Sequence, residues 1–348
     1  MKSISASRLP SIDPVAGDGL GVTLGHLPYR PLLPSGHAQT IIGRYWPVDD
    51  DDPRFPARER LFQIESDVQV LAHENHTGDE SAPTLIILHG LAASSTAPYV
   101  RRPTQLALAA GFNVLRPNVR NCGGTEHLSP TLYHSGLTID LRRIVDELAP
   151  APIYILGFSM GGNIALKLAG EWGDDPPPHV RAICGISVPI RLDLCVRELG
   201  RLINRVYEVR FLKMLRLTFR KKQQLMPKLY GKYAVDRVQS IYEFDDSITA
   251  PVFGFRDADD YYERTSCVRF LPRVRIPSLL IQADDDPFIP PIAYDTPVFE
   301  GNPYINLLRT RHGGHVAFLS RRSPRFWAEQ QALEFFANLN TGGRTSAL

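Results

Sequence analysis

The sequence predicts an α/β fold, with a mainly parallel central sheet, helices on both faces and a helical insertion. Three observations predict it. Between residues 61 and 189, short apolar runs alternate several times with segments of helical period. Some of those runs, TLIILHG and PIYILG among them, are continuously apolar, as strands buried on both faces are. Near residue 190 the alternation gives way to a long, mostly helical stretch rich in aromatic residues, and strand patterns resume near residue 271. A parallel sheet needs a crossover between neighbouring strands, so repeated strand–helix alternation is its signature.

Taken in order, residues 1–60 are rich in Pro, Gly and Asp and read as an irregular arm ending in PVDDDDPRFP. Asp49 to Asp52 read there as a solvated loop rather than a metal site, because nothing around them imposes structure. LFQIES and VQVLAHEN are short strands, followed by the polar turn HTGDESAP. TLIILHG is a buried strand ended by glycine, residues 99–110 a helix, and FNVLRPN another strand. In residues 137–149 Leu137, Leu141, Ile144, Val145 and Leu148 recur at helical spacing. PIYILG, NIALKLAGEW and VRAICGISVP then give strand, helix and strand. After the insertion, PSLLIQADDD and INLLRTRHGGH are strands, and RFWAEQQALEFFANL is a closing helix. The organisation is an arm (1–60), one sheet domain (61–189 with 271–348) and an inserted helical segment (190–270).

The bulk composition excludes several classes. Hydrophobic residues are 43% and charged residues 22%, an ordinary balance for a soluble domain, and the net charge of +2 gives no basis for nucleic-acid binding. The four cysteines form no C-x-x-C pair and fit no zinc spacing, so they read as free thiols of a reducing compartment. No apolar run opens the chain as a secretory signal would, and none approaches the ~20 residues of a membrane span. Cytoplasm is the expected compartment.

The chemistry centres on GFSMG, residues 157–161. The five-letter pattern alone is weak, but here a strand enters it and a helix leaves it. A serine on such a turn is held in strained geometry, with glycines two residues to either side removing side chains that would clash. Its hydroxyl is then presented at the C-terminal edge of the sheet, beside a helix N-terminus that favours negative charge. Ser159 is therefore the candidate nucleophile. It needs a base, and the base needs an orienting acid, in the chain order Ser, acid, His. His179, His312 and His315 follow it. His179 lies in the loop DDPPPHV and reads as exposed. In RHGGHVAFL, His315 is the expected base, because two preceding glycines let its loop approach the serine, and His312 is the fallback. Among Asp284, Asp285 and Asp286, the acid is expected to be Asp286, at the start of the turn, with its two neighbours as alternatives. A Mg²⁺ site on the three is disfavoured because consecutive side chains diverge. The acids of FRDADDYYER lie inside the insertion. Oxyanion donors are expected from the backbone N–H of Met160 and that of Leu91 in HGLAASS. His89 reads as a brace for that loop.

On PLLPSGHAQTI, HGLAASSTAPYV, NVRNCGGTEHLSPTLYHSG, GFSMGGN, ADDDPFIP and GGHVAFL, the chain resembles the YheT-like family of α/β-hydrolases over roughly residues 30–340. The resemblance implies the α/β-hydrolase fold, a triad of Ser159, Asp286 and His315, and serine carboxylesterase or lipase-like activity without a cofactor or metal. Some similar enzymes transfer acyl groups to alcohols or act on glycerolipids. Ala93 stands where relatives often carry glycine, which bears on the fine geometry of that loop. His37, Gln39, Tyr133 and His134 fall in family elements and read as structural, pinning the arm and the 120s loop over the site. Cys122 reads as a small buried residue.

By analogy with this class, the insertion forms a cap over the serine. RLDLCVRELGRLINRVYEVRFLKMLRLTFRKKQQLMPK carries many cations, with Leu199, Leu202, Ile203 and Val206 at helical spacing. The first reading is a solvated helix face with its apolar side on the core. The second is peripheral contact with a membrane surface, or with an acyl substrate bearing an anionic head. The expected function is cleavage of short- to medium-chain acyl esters or acylglycerol-like lipids through an acyl-enzyme, with activity that falls as the base protonates. The alternatives are acyl transfer, in which an alcohol replaces water, and a non-catalytic binding module.

Overall fold

In the computed structural model of the chain, residues 28–48 and 52–342 are described. Asp49 to Asp51 lie outside them, and Asp52 pairs with Arg54.

The described residues form one eight-stranded sheet: β1 (Arg58–Glu65), β2 (Val68–Asn75), β3 (Thr84–Leu88), β4 (Asn113–Pro117), β5 (Ile153–Phe158), β6 (Val180–Ile186), β7 (Ser278–Ala283) and β8 (Ile305–Thr310). The strand order is β1-β2-β4-β3-β5-β6-β7-β8. β1–β2 and β2–β4 pair antiparallel, and every other neighbouring pair is parallel. The sequence pattern follows this arrangement. The central strands β5 and β7 are buried at every position, whereas β1 at the edge is mostly exposed with buried residues in alternation.

Helices clothe both faces. On one face α2 (Pro98–Ala109) and the terminal helix (Trp327–Gly342) pack together over β3, β4, β6 and β7, and Val100, Ala107, Phe335 and Phe336 meet the sheet. A buried Arg102–Glu329 ion pair of 2.8 Å joins the two helices. On the other face lie α3 (Ile139–Leu148) and α4 (Met160–Trp172). α3 shows the expected stripe, burying Leu141, Ile144 and Val145. α4 is buried from Met160 to Gly170, which its richness in Gly, Ala, Leu and Ile permits. Gly170 is required at its crossing, since a Cβ there would lie 2.3 Å from the Phe270 carbonyl.

Between β6 and β7 the chain is helical, with α5 (Leu192–Leu199) and α6 (Arg205–Leu225) followed by short turns, a π-helical turn at Asp245–Thr249 and the helix Ala258–Thr265. These pack over the C-terminal edge of the sheet through Asn204 Nδ2, which donates to the Pro287 carbonyl at 2.7 Å, and through Tyr207 on Phe288. The acids of FRDADDYYER do local work: Asp257 caps the Ala258–Thr265 helix by accepting from Asp260 N.

One element departs from the sequence expectation. Within the stretch read as an irregular arm, residues Gly36–Tyr45 form α1. Gly, His and Thr are weak helix formers, so local propensity gave little signal. Ser35 caps its N-terminus, and tertiary contacts to the far end of the chain hold it, as described below. His179 also differs: its Nε2 lies 3.3 Å from the Val145 carbonyl, so it is half-buried and bonded to α3.

Candidate active site

Ser159 sits between β5 and α4 with φ 51° and ψ −120°. This is a conformation that non-glycine residues rarely adopt, and it is sustained only when the surroundings fix it. They do so here. Ser159 N donates to the Ile186 carbonyl at 2.9 Å, and the Ser159 carbonyl accepts from Gly162 N at 2.9 Å. The flanking glycines are sterically obligatory. A Cβ on Gly157 would lie 2.5 Å from the Gly162 backbone, and one on Gly161 2.6 Å from the Leu88 carbonyl oxygen.

His315 follows β8 and Asp286 follows β7, so both reach the edge where β5 delivers Ser159. His315 Nε2 is 3.0 Å from Ser159 Oγ, and His315 Nδ1 is 2.8 Å from Asp286 Oδ2. A carboxylate accepts only, so Nδ1 carries the proton and Nε2 offers its lone pair to the serine hydroxyl. Asp286 Oδ1 accepts from Phe288 N at 2.8 Å and Ile289 N at 3.3 Å, which fixes the carboxylate plane. The Phe288 ring packs on the imidazole, with centroids 4.4 Å apart.

The structure separates the three aspartates by partner. Asp284 pairs with Arg309, Asp285 Oδ2 meets His312 Nδ1 at 3.1 Å, and Asp286 faces His315. Among the described residues no group of three or more His, Cys, Asp or Glu side chains converges as metal ligands would.

The loop after β3 lies against the serine, since a Cβ on Gly90 would come within 3.2 Å of Ser159 Cβ. Its amides are mostly engaged. Gly90 N donates to Tyr99 Oη, Ala92 N to Tyr133 Oη, and Ala93 N to the Gly90 carbonyl. Ala93 closes that turn without needing a left-handed conformation; Ala92 takes it instead, at φ 50°. The N–H groups of Leu91 and Met160 have no hydrogen-bond partner among the described residues, and both residues line the same cavity as Ser159. Two unpaired donors beside a serine hydroxyl can take up charge on a carbonyl oxygen. His89 braces this loop from below: its Nδ1 bonds the Gly90 carbonyl at 2.8 Å and its Nε2 accepts from Val119 N at 3.0 Å.

The GHAQT helix holds the His315 loop: Gln39 has the structural part read from the sequence, and Thr40, which sequence reasoning left out, has the other. His315 N donates to Thr40 Oγ1 at 2.8 Å, and Leu319 N to Gln39 Oε1 at 2.8 Å. Asp285 Oδ1 accepts from Gly314 N, and Ser187 Oγ from Val316 N. Gly36 packs so closely on the Asp285 carbonyl that a Cβ would sit 1.8 Å away. The motif was visible, but its partners lie about 280 residues downstream. The 120s loop is pinned separately, with Arg120 forking onto Asp140 at 2.6 Å and Asn121 Nδ2 donating to the Thr131 carbonyl. Cys122 is buried beside Tyr133, and desolvation pushes its thiol up to about 12, away from nucleophilic character.

Burial holds His89 down at about 4 and His134 at about 3, while it pushes the pocket carboxyl of Asp245 up to about 6. The signs oppose. The unfolded chain binds protons at the two histidines that the folded chain refuses, so their contribution is lost as pH falls from about 6.5 through 4. Asp245, raised, gains stability from acid over its narrower window between the ordinary carboxylate range and about 6. Asp140 and Glu329 are also raised by burial and act in the same sense as Asp245, but the two histidines carry the larger shifts, and His89 alone represents on the order of 3 kcal/mol below its folded pKa. The thermal midpoint is therefore expected to drop between pH 6.5 and 4, and His134→Gln to flatten that drop; a midpoint constant over the window would refute the assignment.

The cavity above Ser159 measures about 270 Å³ and is mostly apolar, with Leu91, Leu132, Leu215, Phe219, Phe244 and Phe288 in its walls. Asp245, half-buried, is the acid among its lining residues, accepting from Thr249 Oγ1 and Tyr262 Oη at 2.8 Å each.

Comparison with known proteins agrees with this fold. The model of the alpha/beta hydrolase fold matches residues 83–321. The chain is 32% identical to YheT of Escherichia coli (strain K12), over 79% of this chain and 83% of that protein. It is 30% identical to the monoacylglycerol lipase of Saccharomyces cerevisiae, over 74% of this chain and 59% of that longer protein. Among solved structures, the esterase Pf2001 of Pyrococcus furiosus superposes with a TM-score of 0.54 at 19% identity, over 84% of this chain and 97% of that one, a likeness of fold. With strand order, strand–helix turn and sequence similarity in agreement, the chain belongs to the α/β-hydrolase fold family and is a YheT-like member of it.

Proposed function

We propose that this protein is a serine hydrolase of carboxylic esters, acting on short- to medium-chain acyl esters or acylglycerol-like lipids. The observation that carries this reading is the continuous hydrogen-bond chain Ser159 Oγ, His315, Asp286 at 3.0 and 2.8 Å. In the reaction, Ser159 Oγ attacks the ester carbonyl while His315 Nε2 takes its proton. The N–H groups of Leu91 and Met160 receive the oxyanion, with the N-terminus of α4 adding its dipole. His315 then gives the proton to the departing alcohol as the carbonyl–oxygen bond breaks. Water, deprotonated by His315, attacks the acyl-enzyme, and the acid leaves with Ser159 restored. Asp286 keeps the imidazole in the tautomer that makes each transfer work.

The substrate class is supported by the pocket. Its apolar walls suit an acyl chain, and its modest volume, at the small end of ligand sites of ~300 Å³ and above, suits a short or medium one. The helical stretch between β6 and β7 acts in this reading as a cap that covers the acyl chain with apolar side chains, Leu215, Phe219 and Phe244 among them. No cofactor enters any step.

The test is covalent labelling with a fluorophosphonate. The native chain is expected to label and Ser159→Ala to stay unlabelled. An unlabelled native chain would return the protein to the class of non-catalytic binding modules. Added alcohol separates hydrolysis from acyl transfer: formation of a new ester in place of free acid would assign transfer.

A further inference from the structure

The cavity above Ser159 reaches the surface between α1 and α6, where its lining includes the exposed residues Ile41, Tyr45 and Arg210. The two helices meet there through Arg210 Nη1, which donates to Tyr45 Oη at 2.6 Å, and through the stacked pair His37 and Tyr207, whose Nδ1 and Oη lie 3.1 Å apart. Beside this opening, where the chain enters α6, the surface is apolar. Leu202 is 91% exposed, Ile203 66% and Val206 78%. Tyr45 is 67% exposed and Ile41 47% on the facing side of α1. Single exposed apolar residues are ordinary, but several together beside the mouth of an apolar pocket mark a contact surface.

The charge around the same opening is one-signed. Residues 197–222 contain nine Lys and Arg against two acids, Glu198 and Glu208. Both acids are already paired, with Arg201 and Arg205. Towards the C-terminal end of α6 the cations are also used internally. Arg220 pairs with Asp236, Lys221 with Glu126, and Lys222 is buried on the carbonyls of Glu126 and Ser129. At the pocket end, Arg44, Arg210 and Lys213 have no carboxylate within ion-pair distance among the described residues. Val206 and Arg210 are one helical turn apart, so apolar and cationic groups share one rim.

We propose that this rim, formed by α1 and the start of α6, adsorbs the protein onto anionic lipid surfaces, with Leu202, Ile203 and Val206 entering the headgroup layer and the arginines meeting lipid phosphates. Apolar insertion combined with a basic flank is the physical basis of reversible interfacial binding. A second copy of the chain fits the surface poorly, because pairing two such rims brings like charges together. Adsorption here sets the opening of the pocket against the lipid, so an acyl ester passes from the layer to Ser159 without crossing water. That last consequence rests on the ester-hydrolysis reading; the surface contact does not.

The test uses the Ser159→Ala protein, so that no lipid is consumed, in co-sedimentation with vesicles of phosphatidylglycerol and phosphatidylcholine. Binding is expected to the mixed vesicles and to fall at least about tenfold with phosphatidylcholine alone or at high salt. Leu202→Asp combined with Val206→Asp is expected to weaken binding to mixed vesicles at least about tenfold, with the thermal midpoint as the check that both exposed positions tolerate the change. No binding to the mixed vesicles overturns the proposal. So does binding that the aspartate pair leaves intact, which would place the contact elsewhere. A dimer in solution that the aspartate pair dissolves, without vesicle binding, would reassign the rim to contact between copies. The two readings fail separately: a chain that binds vesicles yet refuses the fluorophosphonate keeps this surface and loses the hydrolase, and a labelled chain that ignores vesicles does the reverse.

Discussion

Replacing His315 by alanine is expected to lower kcat on a soluble short-chain ester by on the order of 10⁶-fold, as loss of the base does where nucleophile and base act as a unit. The reason is local. Nε2 of His315 lies 3.0 Å from Ser159 Oγ, and the other histidine of that loop, His312, is committed to Asp285 instead. Without a base the hydroxyl remains protonated and a poor nucleophile. Adding Ser159→Ala to His315→Ala is expected to cost nothing further, because each replacement already disables the same step. What remains in either variant is the stabilisation supplied by the oxyanion donors and by substrate binding. A double variant much slower than either single one would mean that the two side chains contribute independently, and the hydrogen-bond chain would lose its mechanistic meaning.

The second large effect separates the three aspartates. Asp286→Asn is expected to lower kcat by about 10⁴-fold with little change in folding, because the amide can present its N–H to Nδ1 and stabilise the wrong imidazole tautomer. Asp284→Asn is expected to stay within about twofold, since its partner is the partly exposed Arg309 and it touches neither Ser159 nor His315. Asp285→Asn falls between them, at about tenfold. It leaves the His315–Asp286 bond intact but loosens the loop at Gly314 N and His312. The order of the three kcat values is the measurement. If Asp284 or Asp285 proved the most sensitive, the acid would have to be reassigned.

The turn that carries Ser159 was legible in the sequence because its constraints are local. A strand must enter, a helix must leave, and glycine is needed where a Cβ would strike Gly162 or the Leu88 carbonyl. Both glycines fall within five residues, GFSMG, with the strand and helix patterns on either side. The continuous apolar runs of β3, β5 and β7 were legible for the same reason, since burial on both faces leaves few polar positions in the strand. Chain order then narrowed the base to two histidines and the acid to three neighbours.

Read alone, the sequence shows the alternation that builds the sheet, the candidate nucleophile and the short segments that hold the candidate base and acid. All of these are properties of residues close together along the chain. Which of Asp284, Asp285 and Asp286 meets His315 is visible only in three dimensions, because a one-residue step along a turn sends the side chain in a different direction and local composition does not say where His315 waits. The tertiary structure also decided that the GHAQT segment is a helix at all. That helix has weak propensity of its own and is held by Gln39 and Thr40 on a loop about 280 residues away, so its stability is written in long-range bonds that a local pattern cannot carry.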